Sequence, residues 1–346
     1  MTLKYNFYDD YSEGAHPQIL EALMHTNLQQ QIGYGMDEYS TEASNLIKEK
    51  IENKNIGVHF VSGGTQANLV VLGSMLKPYE SVIAASSAHI NVHEAGAIEA
   101  TGHKIHAVEV LDGKLLPEQI KKIVNQHTDE HMVRPRVVFI SHSTEVGTIY
   151  TKKELENLSQ YCKTNGLYLY LDGARMASAL ASTNTDLTLA DIARFADAFY
   201  IGGTKNGALL GEAIVLVNPN LQNNFRYHTK QRGALLAKGR SVGVQFRELF
   251  KGDLFFDLAR HANDMASKLT QGLQAQGYTF LTESFTNQIF PILPNAVIKR
   301  LQESYGFYIW SKSDDKKSVV RLVTSWATPE PTVESFLSDI KKLSVI

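Results

Sequence analysis

Lys205 lies in "FYIGGTKNGALLGEAIVL" (199–216), where an apolar run enters Gly202-Gly203-Thr204-Lys205-Asn206-Gly207. A lysine on a glycine-rich turn can form a Schiff base with a carbonyl cofactor, because backbone without Cβ lets a flat ring approach. Upstream, the run in "GLYLYLDGARMA" ends in an acid, Asp172. An acid at a strand end can hold a pyridine nitrogen protonated, so the pair suits pyridoxal phosphate chemistry. Taken alone, Lys205 reads more readily as an exposed lysine on a turn. Asp172 alone reads as an Asx turn or a helix N-cap.

Other residues fit the same chemistry. Arg175 could bind a substrate carboxylate or a cofactor ring oxygen, or simply pair with Asp172. "VHFVSGGTQANLVVLGSML" (58–76) is a strand, a turn and a helix. The turn Gly63-Gly64-Thr65 before a helix N-terminus can cradle a phosphate. It lacks the Walker and GxGxxG patterns, so a single phosphate fits better than a dinucleotide; an ordinary turn capped by Thr65 is the alternative. His89, near Glu94 in "SSAHINVHEAGAIE", stands between a strand and a helix, where an imidazole could stack on a ring or act as a base. His93, His103 and His106 read as structural. His89 and His93 lie four apart without the HExxH pattern, so no metal site is expected. Arg321 shares a strand face with Val319 and Val323 and needs an anion there, either a substrate carboxylate or a structural acid.

The elements that must position these residues alternate. Strands are expected at Val58–Val61, Ser81–Ala84, Lys104–Val108, Arg136–Ser141, Leu167–Leu171, Ala198–Ile201 and Glu212–Val217. Helices are expected at 17–25, 41–53, 65–77, 90–100, 117–127, 152–165 and 188–195. Near-continuous apolar strands alternating with helices predict an α/β fold with a large, doubly wound, mostly parallel sheet. Leu254, Leu258, Ala262, Met265, Leu269 and Leu273 then mark a long helix ended by Gly277. Strand-like segments at 287–293, 306–310 and 318–326 surround a helix near 295–304. This predicts a large cofactor-binding domain over 1–245 and a smaller C-terminal α+β domain over 246–346.

A chain of 346 residues is long enough for two domains. A net charge of −2 gives no footprint for nucleic acid. No stretch is long and apolar enough for a membrane span, and the acidic N-terminus does not read as a signal peptide. The single cysteine, Cys162, cannot form an internal disulfide and fits a reducing cytoplasm.

Taken in order, "SGGTQAN", "SAHINVHEAGA", "STEVGTIYT", "LDGARMASAL", "GGTKNG" and "VVRLVTSWAT" resemble the motifs of the threonine aldolase branch of the β-eliminating lyase family, closest to the low-specificity L-threonine aldolases. The resemblance runs from about Tyr8 to Ala327. It implies a pyridoxal 5'-phosphate enzyme of fold type I, with Lys205 carrying the Schiff base, Asp172 pairing the pyridinium nitrogen and His89 stacking on the ring. Gly63, Gly64 and Thr65 would bind phosphate. Arg175 and Arg321 would hold the substrate carboxylate, with Ser12 assisting. Tyr34 and Arg232 would reach a neighbouring subunit's site, implying a homo-oligomer, dimeric at minimum and extending to a tetramer. One departure stands out. Where many relatives place a histidine in a Thr-His-Asn stretch, this chain has Thr144, with His142 nearby, leaving open which residue meets the substrate hydroxyl. The reading is an aldolase cleaving β-hydroxy-α-amino acids to glycine and an aldehyde. β-Elimination, transamination and a non-catalytic binding role are the alternatives, the last opposed by intact Lys205, Asp172, His89 and Arg321.

Overall fold

The computed structural model describes residues 3–343. Its principal element is a seven-stranded sheet ordered Gly57–Val61, Glu212–Leu216, Ala198–Gly202, Tyr168–Asp172, Arg134–Ser141, Glu80–Ala85 and Ile105–Val108. The last five are parallel to one another, while Glu212–Leu216 is antiparallel to both strands beside it. The reversal follows from chain length. Parallel neighbours need a crossover of about a dozen residues or more, and the link 203–211 is too short for one. That link carries Lys205.

Helices Gly64–Met75, Lys152–Thr164 and Leu189–Phe195 lie close to the expected ranges. Val137, Val138, Phe139, Leu169, Leu171, Ala213 and Val215 are buried, as sheet strands covered on both faces must be. The expected helix over 90–100 does not form. The chain makes only the turn His89–Val92 and a 3-10 turn at Glu99–Thr101. Between them Ala95 and Gly96 take φ of 50° and 73°, which ends any right-handed helix. Helices at Met176–Leu180, Phe225–Gln231, Arg240–Phe250 and Glu330–Leu343 were not expected from the sequence.

The long helix is Leu254–Ala275, and Gly277 at φ 85° follows its end. Its Phe255, Leu258 and Ala259 pack in the main core, whereas Met265, Ala266, Leu269 and Leu273 pack in a second one. That second core lies under a smaller antiparallel sheet in which Lys317–Val323 pairs with Gln288–Ile289, Pro291–Pro294 and Tyr308–Lys312. The N-terminal segment does not stay with the large sheet, as the division at 245 anticipated. Tyr5–Asn6 pairs with Tyr305–Gly306, and Phe7 packs edge-on against Phe336. A large ring with no polar atom finds its burial there.

Two glycines bring the site together. A Cβ on Gly173 would lie 1.9 Å from the Tyr200 carbonyl oxygen, and one on Gly202 would lie 2.3 Å from that of Ala174. Gly202 N–H donates to the Gly173 carbonyl at 2.9 Å. The segments after Asp172 and before Lys205 therefore touch backbone to backbone, which only glycine permits.

Candidate active site

A cavity of about 950 Å³ opens at the carboxyl ends of the parallel strands, where ligands of open α/β sheets bind. Of the residues singled out from sequence, Gly63, Gly64, Thr65, His89, Asp172, Arg175, Lys205 and Arg321 all line it.

Lys205 and Arg175 are neighbouring buried cations. Burial, with Arg175 beside it, holds the Lys205 ammonium below its ordinary value, against the pull of Asp10, Asp172 and Glu212. A lowered value leaves more of the amine neutral and nucleophilic at working pH. Arg175 does not pair with Asp172. Its Nε donates to Asp10 Oδ2 at 2.7 Å and its Nη2 to Oδ1 at 3.0 Å, a bidentate clamp. Asn287 Nδ2 adds a bond to Asp10 at 2.8 Å. Burial would push the Asp10 carboxyl up, but Arg175 and Lys205 overcome it and hold it below its ordinary value. Asp10 was not singled out from sequence; its signal was the acidic pair in "YDDYSEG". Glu212 was also missed. It is an acid opening an otherwise apolar strand, and its side chain accepts from Gly203 N–H at 2.9 Å. Burial pushes its carboxyl up, against bonds from Thr204 and Gly203 and the attraction of Lys205.

Asp172 ends its strand almost wholly buried. The Asx-turn reading holds, and the carboxylate is shared with two further donors. Oδ1 accepts from Ala174 N–H at 3.0 Å, an Asx-type bond, and from Tyr200 Oη–H at 2.5 Å. Oδ2 accepts from Asn68 Nδ2 at 3.1 Å. Burial, then Asp172, pushes the Tyr200 phenol far up, so it remains a donor. Asn68 is fixed in turn by Tyr170 Oη–H at 2.9 Å and by Glu94 Oε1 at 2.7 Å. Glu94 also meets His89 Nδ1 at 2.8 Å, so one chain of hydrogen bonds joins His89 to Asp172.

The helix Gly64–Met75 begins at the cap residue Gly63, with no side-chain cap bond. Thr65 therefore lies inside the first turn and is not the cap. The leading N–H groups are left for a ligand at the cavity wall. His93, read as structural, lines the cavity beside His89, with ring centroids 5.6 Å apart. Burial and the charges of His89, Arg321 and Lys205 hold it below its ordinary value. The helical spacing of the two histidines was the signal. His103 and His106 are structural: His103 Nδ1 meets the Glu80 carbonyl at 3.1 Å and His106 Nε2 meets Ser81 at 2.9 Å. Tyr11 also enters the cavity, its ring 5.9 Å from Lys205 Nζ.

Arg321 is part-buried and is pushed below its ordinary value by burial and by Arg175. Its Nη2 donates to the Tyr8 carbonyl at 2.9 Å, and Tyr308 and Trp310 flank it with centroids at 5.1 and 5.5 Å. Nε has no partner, and among the described residues no carboxylate forms an ion pair with it. Ser12, Tyr34 and Arg232 do not line the cavity. Ser12 Oγ donates to Asp9 Oδ1 at 2.8 Å, Tyr34 is 44% exposed, and Arg232 leaves a buried Nε unpaired beside Gly73, near the end of the helix Gly64–Met75. Among the described residues no cluster of His, Cys, Asp and Glu could hold a metal ion.

The beta-eliminating lyase family profile matches residues 9–295. A low specificity L-threonine aldolase of Pseudomonas aeruginosa is 32% identical, the match covering 96% of each chain. One from a Pseudomonas species is 33% identical, also at 96% of each. A solved Leishmania major threonine aldolase superposes with TM-score 0.97 at 49% identity, over 98% of this chain and 99% of that one. A Thermus thermophilus aspartate aminotransferase shares the fold at TM-score 0.74 and 16% identity.

Replacing Asp10 by Asn leaves Arg175 buried without its countercharge. The expected loss is roughly 3 kcal/mol, the low end for breaking a buried pair because the cavity gives Arg175 some water. Denaturant unfolding at pH 7 measures it. Because the folded Asp10 carboxyl titrates below its ordinary 3.8, its contribution is complete above that value and is lost as pH falls through the lower, folded value. The gap between wild type and variant should therefore close in acid.

Proposed function

The chain belongs to the β-eliminating lyase family, and from that premise we propose that it is a pyridoxal phosphate-dependent aldolase. It cleaves β-hydroxy-α-amino acids such as L-threonine or L-allo-threonine to glycine and an aldehyde. The observation that carries this reading is Arg321, a part-buried guanidinium with no ion-paired carboxylate among the described residues, in the same cavity as the amine of Lys205 and the carboxylate of Asp172.

The residues fit the cofactor. The uncapped turn at Gly63 offers N–H groups for a phosphate, with Gly64 and Thr65 in the same first turn. Asp172, held on both oxygens, would keep a proton on the pyridine nitrogen. His89, fixed by Glu94, would lie against the ring. Lys205 would hold the cofactor covalently through its Nζ. When bound, pyridoxal phosphate supplies an electron sink for the pair released from Cα. The protein supplies the rest. Arg321 grips the substrate carboxylate and so fixes which bond at Cα is aligned for cleavage. Arg175, clamped by Asp10, places a fixed positive charge beside Lys205. It lowers the amine's proton affinity, and its Nη1, not engaged by Asp10, would meet the substrate carboxylate alongside Arg321. Tyr200 and Asn68 stop Asp172 from turning away.

An oligomer, dimeric at least, is part of the reading. Leu20, Met24, Leu28, Ile32 and Met36 are exposed along one N-terminal stretch, a larger apolar run than a lone chain usually leaves in water. Tyr34 lies within it. Tyr34 and Arg232 do not reach their own cavity, which suits residues that serve a second subunit. No described helix is long and apolar enough to cross a membrane. The lone thiol, Cys162, is buried and free, which suits the cytoplasm.

Purified protein with cofactor should be yellow, and borohydride should fix the cofactor to the peptide containing Lys205. L-Threonine or L-allo-threonine should yield glycine. Label on another lysine, or no glycine from either amino acid, would sink the reading.

Arg321→Lys keeps the charge but loses the planar fork. The KM for L-threonine should rise about tenfold or more, which corresponds to roughly 1.4 kcal/mol of lost binding. Bound cofactor and melting temperature should persist. Lost stability with unchanged KM would instead mark Arg321 as structural.

Equilibrium sedimentation should give a dimer or a multiple of one. Mixing inactive Lys205→Ala and Arg232→Ala chains, followed by exchange, should restore activity if Arg232 serves a partner. A monomeric active enzyme would overturn this part.

A further inference from the structure

The segment after the strand Arg134–Ser141 runs His142-Ser143-Thr144-Glu145, and its side chains divide sharply. His142 is fully buried, and burial pushes its imidazole down to about 4. Its Nδ1 accepts from Tyr150 N–H at 3.4 Å. Thr144 is also fully buried, its hydroxyl 2.7 Å from that of Thr148. Neither lines the cavity. Ser143 and Glu145 do. The two residues that sequence offered for the substrate hydroxyl thus point into the core, and their neighbours face the substrate.

Glu145 is held by one oxygen. Oε1 accepts from Ser141 Oγ at 2.6 Å and from His89 N–H at 3.1 Å. Oε2 makes no hydrogen bond among the described residues and is not among the sealed polar atoms, so it is open to the cavity. A carboxylate fixed at one oxygen and free at the other is a positioned base. Charged and titratable groups face the same cavity from every side: His89 and His93 from their turn, Asp172 and Arg175 from the strand end, Lys205 and Glu212 from the hairpin, and Arg321 from the small sheet. Burial raises the Glu145 carboxyl above its ordinary value, Asp172 adds to this, and the bonds from Ser141 and His89 oppose it. A carboxylate with a raised value is a stronger base than an exposed one.

Resting on the aldolase reading, we propose that Glu145 Oε2 is the base that takes the proton from the substrate's β-hydroxyl. The oxygen's electron pair becomes the second bond of the aldehyde carbonyl as the Cα–Cβ bond breaks. The pair from that bond stays with Cα, which takes up one proton to complete glycine. One proton leaves oxygen and one reaches Cα, so Glu145 is restored when it releases its proton.

The test compares two reactions of the cofactor-loaded protein. Cleavage of L-threonine needs a base at the hydroxyl. Exchange of the glycine α-proton in D2O, followed by proton NMR, involves no hydroxyl. Glu145→Gln keeps an oxygen for Ser141 and the His89 N–H, so the fold and the bound cofactor's absorbance should persist. Its kcat for cleavage should drop by about 10²–10⁴, the usual worth of a general base, while glycine exchange continues. The acid limb of the wild-type pH–kcat/KM profile should disappear. Glu145→Asp, a shorter carboxylate, should recover part of the cleavage and serves if the Gln variant does not fold. Equal loss of cleavage and exchange, or altered absorbance, would show that Glu145 only supports His89 and would overturn the assignment. Wild-type cleavage rates in Glu145→Gln would overturn it as well. Wild-type protein that exchanges glycine but does not cleave β-hydroxy amino acids would overturn the aldolase reading itself, and the assignment with it.

Discussion

Three cations, Lys205, Arg175 and Arg321, line one cavity in this protein, and much of the site's construction follows from keeping the first two side by side there. Lys205 must be buried to lose part of its proton affinity. Arg175 beside it adds to that effect, and its own desolvation is offset by a carboxylate. Asp10 supplies the missing charge in a bidentate clamp. Asp172 and Glu212 then moderate the field at Lys205. Arg321 remains without an ion-paired carboxylate among the described residues.

That charge balance ties distant parts of the chain to one point. Asp10 follows the N-terminal strand, Arg175 follows a central strand of the large sheet, and Asn287, which also holds Asp10, immediately precedes the small-sheet strand Gln288–Ile289. The helix Leu254–Ala275 spans both hydrophobic cores and fixes them relative to each other. The long helix carries the nonpolar part of the connection and Asp10 the polar part. Movement of the small sheet would therefore be felt at Arg175 and Arg321 together.

A second chain of bonds runs from His89 through Glu94 and Asn68 to Asp172. It explains why the region after His89 is not the helix its composition suggested. Glu94 turns inward to serve Asn68 and His89, and the backbone reaches positive φ immediately afterward at Ala95 and Gly96. Local helix preference lost to a buried carboxylate that had to find partners.

The strands of the large sheet and most of its helices were legible in the sequence, because apolar periodicity reports burial directly and burial sets these elements. The lysine hairpin, the Asp172 strand end and the turn Gly63-Gly64-Thr65 were legible as cavity-lining segments too, since glycine and charge at strand ends mark where backbone comes close to other groups. Only the tertiary structure decided the pairings. No local signal tells Arg175 to choose Asp10 over the nearer-in-sequence Asp172, since that choice depends on an N-terminal segment crossing from the other core. Nor does sequence tell which side chains of 142–145 face inward, because a single residue's turn sends its side chain to core or cavity. His93, Glu212 and Glu145 were hidden for the same reason. Residue type announces what a side chain can do, but a site is made by what surrounds it, and those neighbours come from segments that meet only when the chain is folded.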